Sequence, residues 1–156
     1  MRHIISVLVE NKFGVLARIA GLFSARGFNI DSLSVGVTED PSVSRMTIVV
    51  RGDDKTLEQV KKQLNKLIDV ISVKDFLKKE HIDKELLLFK ACITKDTKQK
   101  VLDIIDKFKA TTVKVSDDTV TVEFVGEPQA IAGLLSAFEE FGIKEMVRTG
   151  RIAMAL

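Results

Sequence analysis

Asn11-Lys12-Phe13-Gly14-Val15-Leu16 is the stretch with the plainest chemical use. It lies between an apolar run, His3 to Val9, and a helical pattern, Val15 to Arg26. Asn11 and Gly14 are turn residues, so a strand is expected to end there and a helix to begin. The first N–H groups of a helix have no intrahelical partner and carry partial positive charge. They favour a small anion such as a carboxylate. Phe13, Val15 and Leu16 add apolar surface beside that polar point. Such a combination suits a free aliphatic amino acid. Taken alone, the stretch reads first as an ordinary strand-to-helix turn whose N–H groups are met by Asn11 or by water.

Other groups capable of chemistry are sparse. His3 and His81 are the only histidines and have no accompanying Cys pattern, so no metal site is expected. His3 reads as a strand start and His81 as part of a solvated linker. Asp53-Asp54 reads as a helix-capping pair and Asp117-Asp118 as a hairpin turn. Met146 and Met154 read as packing residues. Arg148, Thr149 and Arg151 surround Gly150 after the last predicted strand, and read equally as a solvated tail or as a contact for a partner. Cys92, the single cysteine, lies in an apolar run, as a buried reduced thiol of a cytoplasmic protein would. No catalytic residue is expected.

Composition narrows the function further. The 156 residues hold 24 Lys+Arg against 22 Asp+Glu, a formal net charge of +2, too balanced to suggest nucleic acid or an anionic membrane surface. There is no Trp and no Tyr, which removes the usual base-stacking platform. Met1-Arg2-His3 leads straight into a strand pattern, so no signal peptide is expected. No apolar run is long enough to span a membrane.

The elements that must position the turn follow from periodicity. A strand over 3–9 precedes a helix with Val15, Leu16, Ile19, Ala20, Leu22 and Phe23 on one side. Gly27 is the expected helix stop. Phe28 and Ile30 alternate, then Leu33, Val35 and Val37, with a parity change that predicts a bulge near Asp31-Ser32. Met46, Ile48 and Val50 mark a third strand, Leu57 to Ile68 a second helix, and Val70 to Leu77 a fourth strand. The order βαββαβ is the ferredoxin-like plan, a four-stranded antiparallel sheet with both helices on one face and the second and fourth strands at its edges. Lys78 to Glu85 is a charged connector, taken as the domain boundary.

The plan then repeats. A strand is expected over 85–93, a helix over 98–109, a hairpin of 111–115 with 119–125, a helix opened by Glu127-Pro128, and a last strand over 143–148. The fold class is therefore α+β, two tandem ferredoxin-like domains over 1–78 and 84–156. Domains of ~75 residues are individually marginal. The second strand of the first domain is a long apolar edge, a hazard unless it is paired. Pairing between two copies would give a two-fold dimer. Asn29 and Ile30 would then approach the partner's Asn11-to-Leu16 turn, and a ligand site would straddle the two chains.

Asn11 to Leu16, Ile19-Ala20-Gly21-Leu22-Phe23 and Arg26-Gly27-Phe28-Asn29-Ile30 together resemble an ACT domain. The resemblance is to the ACT domain of the small, regulatory subunit of acetolactate synthase (acetohydroxyacid synthase). It continues through Ser44-Arg45-Met46-Thr47, Gly52-Asp53-Asp54, Gln59 to Leu67 and Phe141 to Arg151, and covers essentially the whole chain. Phe13 departs from the Pro found in many ACT domains. It leaves the turn less rigid and adds bulk at the proposed pocket.

The resemblance implies a non-catalytic homodimer that binds and activates a separate catalytic subunit. It also implies feedback inhibition by a branched-chain amino acid, usually valine. Thiamine diphosphate, magnesium and FAD are expected on the catalytic subunit, and no cofactor on this chain. By position, Asn11, Lys12, Phe13, Gly14, Val15 and Leu16 would hold the effector with Asn29 and Ile30 of the partner chain. The second domain would support regulation and contact with the catalytic subunit. A stand-alone amino-acid sensor for another enzyme is the alternative. An acylphosphatase-like hydrolase is a weaker one, since the turn offers only Lys12 as a cation.

Overall fold

A computed structural model describes residues 1–156. The chain divides into two compact units, residues 1–82 with 151–156, and residues 83–150. Residues 151–156, expected within the 84–156 domain, thus group with the first unit.

The first unit holds β1 (Arg2–Glu10), α1 (Val15–Ala25), β2 (Ile30–Val37), β3 (Val43–Arg51), α2 (Asp54–Asn65) and β4 (Val70–Asp75). Its sheet runs β2-β3-β1-β4, all antiparallel, with β2 and β4 at the edges as expected. Alternation decides which face is covered. Ile5, Val7 and Val9 on β1, with Met46, Ile48 and Val50 on β3, point to one side. There they bury against Val15, Ile19 and Phe23 of α1 and Leu57, Val60 and Leu64 of α2. The predicted bulge in β2 is real: the register slips between Ile30 and Ser32. Asp53 caps α2, its carboxylate accepting from the Thr56 amide at 2.8 Å.

The helix-free face of this sheet is not bare. Ser6, Thr47 and Val49 on it are buried. Arg151 N donates to Ser32 Oγ at 2.9 Å, and Ser32 stands opposite Val49 on that face. Residues 152–155 form a short strand, β9, and Leu156 N donates to Glu80 O. The tail after Gly150 is thus ordered backbone, which replaces the solvated-tail reading. Four residues of Ile-Ala-Met-Ala carry too little alternation to announce a strand.

The second unit repeats the plan with β5 (His81–Cys92), α3 (Lys98–Lys107), β6 (Thr111–Val115), β7 (Thr119–Gly126), α4 (Pro128–Phe138) and β8 (Ile143–Arg148). The strand order is β6-β7-β5-β8. Leu87, Phe89 and Ala91 alternate inward on β5 and meet Val101, Ile105, Ile131, Leu134 and Phe138. Phe89 and Phe138 cross edge to face with centroids 4.9 Å apart.

β5 begins four residues before the predicted start. The charged stretch 81–84, read as linker, is strand, because pairing is made by backbone groups and leaves half-buried charged side chains free to reach water. His81 belongs to it and stacks on Phe76, centroids 5.0 Å apart. Met146 and Met154 are exposed and do not serve as packing residues, and Cys92 is only half-buried.

Candidate functional site

The turn between β1 and α1 is built around Gly14. Its φ of 81° lies in the left-handed region, where a side chain is strained, and it is the residue immediately before the helix. No side chain caps α1. Asn11, the expected cap, is committed elsewhere. Its backbone N–H donates to Ser42 O at 2.7 Å and its Nδ2 to Pro41 O at 3.1 Å. Asn11 therefore ties the turn to the β2–β3 connection, and the first-turn amides at Leu16 and Ala17 are left for solvent or a ligand.

The surroundings are cationic and apolar. Lys12 pairs with Glu10 at 2.8 Å, and that hydrogen bond holds its ammonium above its usual pKa. Arg18, one turn into α1, reaches the surface and pairs with Asp69. Phe13 is fully exposed and Leu16 is 44% exposed, so both offer apolar surface to a ligand or a partner. Val15 faces the core instead, 3% exposed, and anchors the start of the helix.

Asn29 and Ile30 lie at the other end of α1, beyond Gly27. Eleven helical residues span about 16 Å, so one chain does not bring the two halves of the predicted site together. With Ala20, Ser24 and Phe28 they line a shallow groove. Asn29 Nδ2 donates to Asp31 Oδ1 at 3.1 Å. Arg51 Nε donates to Asp31 Oδ2 at 2.7 Å, and an Arg2 Nη2 lies 3.5 Å from the same oxygen. These contacts, the Arg51 hydrogen bond foremost, hold the Asp31 carboxyl below the usual carboxylate range. Sequence reading missed this network. Register brings it about: Ile30 stands opposite Val50, and Arg2 opposite Arg51.

A second concavity, about 360 Å³, lies beside α2 and is lined by His3, Asp54, Leu57, Lys61, Asp75 and Lys78 among others. His3 is buried and neither ring nitrogen makes a hydrogen bond, although Nε2 lies 3.3 Å from Asp54 Oδ1. Its lining balances cations against carboxylates and provides no constellation for catalysis.

Comparison with known proteins decides the family. Residues 5–72 match the model described as the acetohydroxyacid synthase small subunit-like ACT domain, and residues 84–156 that described as the small subunit of acetolactate synthase. A probable acetolactate synthase small subunit of Archaeoglobus fulgidus is 47% identical over 154 residues, covering 99% of this chain and 96% of the relative. The chain belongs to the acetolactate synthase small-subunit family.

It is accordingly a non-catalytic regulatory subunit, with a role in the regulation of branched-chain amino acid biosynthesis. A second small-subunit relative, from Methanothermobacter thermautotrophicus, is also 47% identical and covers 98% of the chain and 92% of its own length. The crystal structure of the acetolactate synthase small subunit from Thermotoga maritima superimposes with a TM-score of 0.90 at 35% identity, covering 100% of this chain and 98% of that one. The small-subunit fold therefore holds over the whole length, including the returning C-terminal strand.

Proposed function

We propose that two copies pair through their β2 edges and bind a branched-chain amino acid, valine first among them, at each of two seats between the chains. The carboxylate docks on the first-turn amides of α1. Phe13 and Leu16 enclose the side chain, with Gly14 leaving room for the approach. Asn11 and Lys12 border the polar end. Asn29 and Ile30 of the partner copy close the seat. The observation that carries this reading is the uncapped N-terminus of α1, whose expected cap, Asn11, is bonded to another loop. The exposed Val35 and Val37 on β2 support the edge pairing.

The dimer binds and activates a separate thiamine-diphosphate-dependent catalytic subunit in the cytoplasm, and the bound effector lowers that activity. The first domain, 1–78, holds the effector and the second, 84–156, contacts the catalytic subunit. Coupling of this kind is typically ~1–3 kcal/mol, or roughly 5–150-fold in affinity. The test is reconstitution with the cognate catalytic subunit, following acetolactate formation while valine, leucine and isoleucine are titrated in. Activation by this chain that a branched-chain amino acid then suppresses is the expected result. Activation that none of the three affects would remove the effector seat from the account.

A further inference from the structure

The helix-free face of the second sheet stands open. On β5, Leu87, Phe89 and Ala91 turn to the helices, so Leu86, Leu88 and Lys90 turn the other way. Register puts Val147 and Glu145 of β8 on that same face, opposite Leu88 and Lys90 in turn. Leu88 is 38% exposed and Val147 57%, whereas the matching face of the first sheet buries Ser6, Thr47 and Val49. Beside this aliphatic pair, Lys90 Nζ meets Glu145 Oε2 at 2.8 Å, and both side chains are about half exposed. We infer that this face is a contact between two copies of the chain, stacked sheet on sheet about a two-fold axis that runs along the strands between β5 and β8.

Register is what points to a second copy as the occupant. Sheets stack face to face with their strands nearly aligned. A two-fold contact sets a surface against itself, so each residue must suit whatever the axis brings opposite. An axis between β5 and β8 brings each residue opposite its own cross-strand neighbour in the other copy. Leu88 then lies over Val147 and Lys90 over Glu145, twice each. Apolar meets apolar, and cation meets anion. Other positions fit worse. An axis over β5 itself sets Lys90 against Lys90, and one between β5 and β7 sets Leu88 against Glu123. With the axis between β5 and β8, β7 falls past the β8 edge of the other copy, which leaves Glu123 in solvent. The helical side of this domain stays free for the catalytic subunit. The contact is separate from the β2 edge pairing proposed above and does not depend on it.

Charge reversal tests it. Sedimentation over a dilution series would follow the full-length natural chain, Lys90→Glu, Glu145→Lys, and a 1:1 mixture of the two variants. Each variant alone sets like charges against each other across the contact, and is expected to associate roughly tenfold or more weakly than the natural chain. In the mixture the two reversed side chains face each other, and so do the two natural ones. Association is then expected to return to within about threefold of the natural value. A lesion acting inside one chain would survive mixing, because each variant keeps its own like-charged neighbour. Circular dichroism would check folding. If a reversed variant is unfolded, Leu88→Lys mixed with Val147→Glu makes the same exchange on the aliphatic row. A natural chain that stays monomeric, variants that associate as tightly as it does, or a mixture no tighter than its parts each overturns the inference. Variants that self-associate normally but no longer co-elute with the catalytic subunit overturn it too, and give the face to that subunit.

Discussion

Arg148 grips Glu85 through two parallel hydrogen bonds, Nε to Oε1 at 2.8 Å and Nη2 to Oε2 at 2.7 Å. Glu85 is 5% exposed, whereas the Arg148 side chain is 44% exposed. Burial of the carboxylate makes the pair matter, since an unpaired buried charge is costly. The same hydrogen bonds hold the Arg148 guanidinium charged more firmly than usual. Arg148→Met should therefore destabilise the protein by about 1–3 kcal/mol, the lower part of that range reflecting water access to the arginine. Urea denaturation checks it. A loss well under 0.5 kcal/mol would show that water already satisfies Glu85.

Gly14→Asp should abolish feedback inhibition. The new carboxylate would stand beside the very amides meant for the effector and compete with it in cis. The left-handed φ strains any side chain, aspartate less than most, but there is room: the nearest atom to its Cβ would be Arg18 Nη1 at 3.8 Å. Co-elution with the catalytic subunit should persist while valine no longer inhibits. Undiminished inhibition in this variant would take Gly14 out of the seat.

Gly52→Ala should act at a distance on the partner half of the seat. A Cβ there would lie 2.1 Å from Phe28 Cε1, so the ring must move. Phe28 packs edge-on against buried Phe23 and directly precedes Asn29. The expected cost is roughly 1–3 kcal/mol of stability, together with weaker valine binding. Thermal unfolding and calorimetry on the one variant measure both.

Acid should unfold this protein through specific carboxylates. Asp31, Asp40, Asp53, Asp118 and Glu145 are all held below their usual range, chiefly by hydrogen bonds from Arg51, Ser42, Thr56, Lys144 and Lys90 in turn. A carboxyl depressed in the folded state stabilises it above the unfolded pKa, and that contribution fades as pH falls through the folded value. Melting temperature should thus be flat from neutral pH down to about pH 5 and fall steadily below about pH 4. Asp53→Asn, which removes a charged cap, should lower the neutral-pH melting temperature and shallow the acid slope.

Much of this was legible in the residues themselves. Alternation at Met46-Ile48-Val50 marked the third strand, and the parity break at Asp31-Ser32 located the bulge. Asp53 announced its cap by type and position. Three things were not legible, each for want of a long-range register. The Asp31–Arg51 pair spans twenty residues and exists only because β2 and β3 align Ile30 with Val50. Asn11 looked like a helix cap because nothing local revealed the Pro41 carbonyl it binds. The strand at Ile152–Ala155 is too short to alternate visibly and is fixed by Arg151 and Leu156 reaching Ser32 and Glu80.

The decisive measurement is the valine stoichiometry of a purified mixed dimer, one chain carrying Gly14→Asp and the other Asn29→His. Each variant homodimer should bind no valine. In the mixed dimer, one seat receives both lesions and the other receives none, so calorimetry should return one valine per dimer at the natural affinity. A mixed dimer that binds none would mean that Gly14 and Asn29 serve a seat within a single chain, and the shared crevice would be wrong.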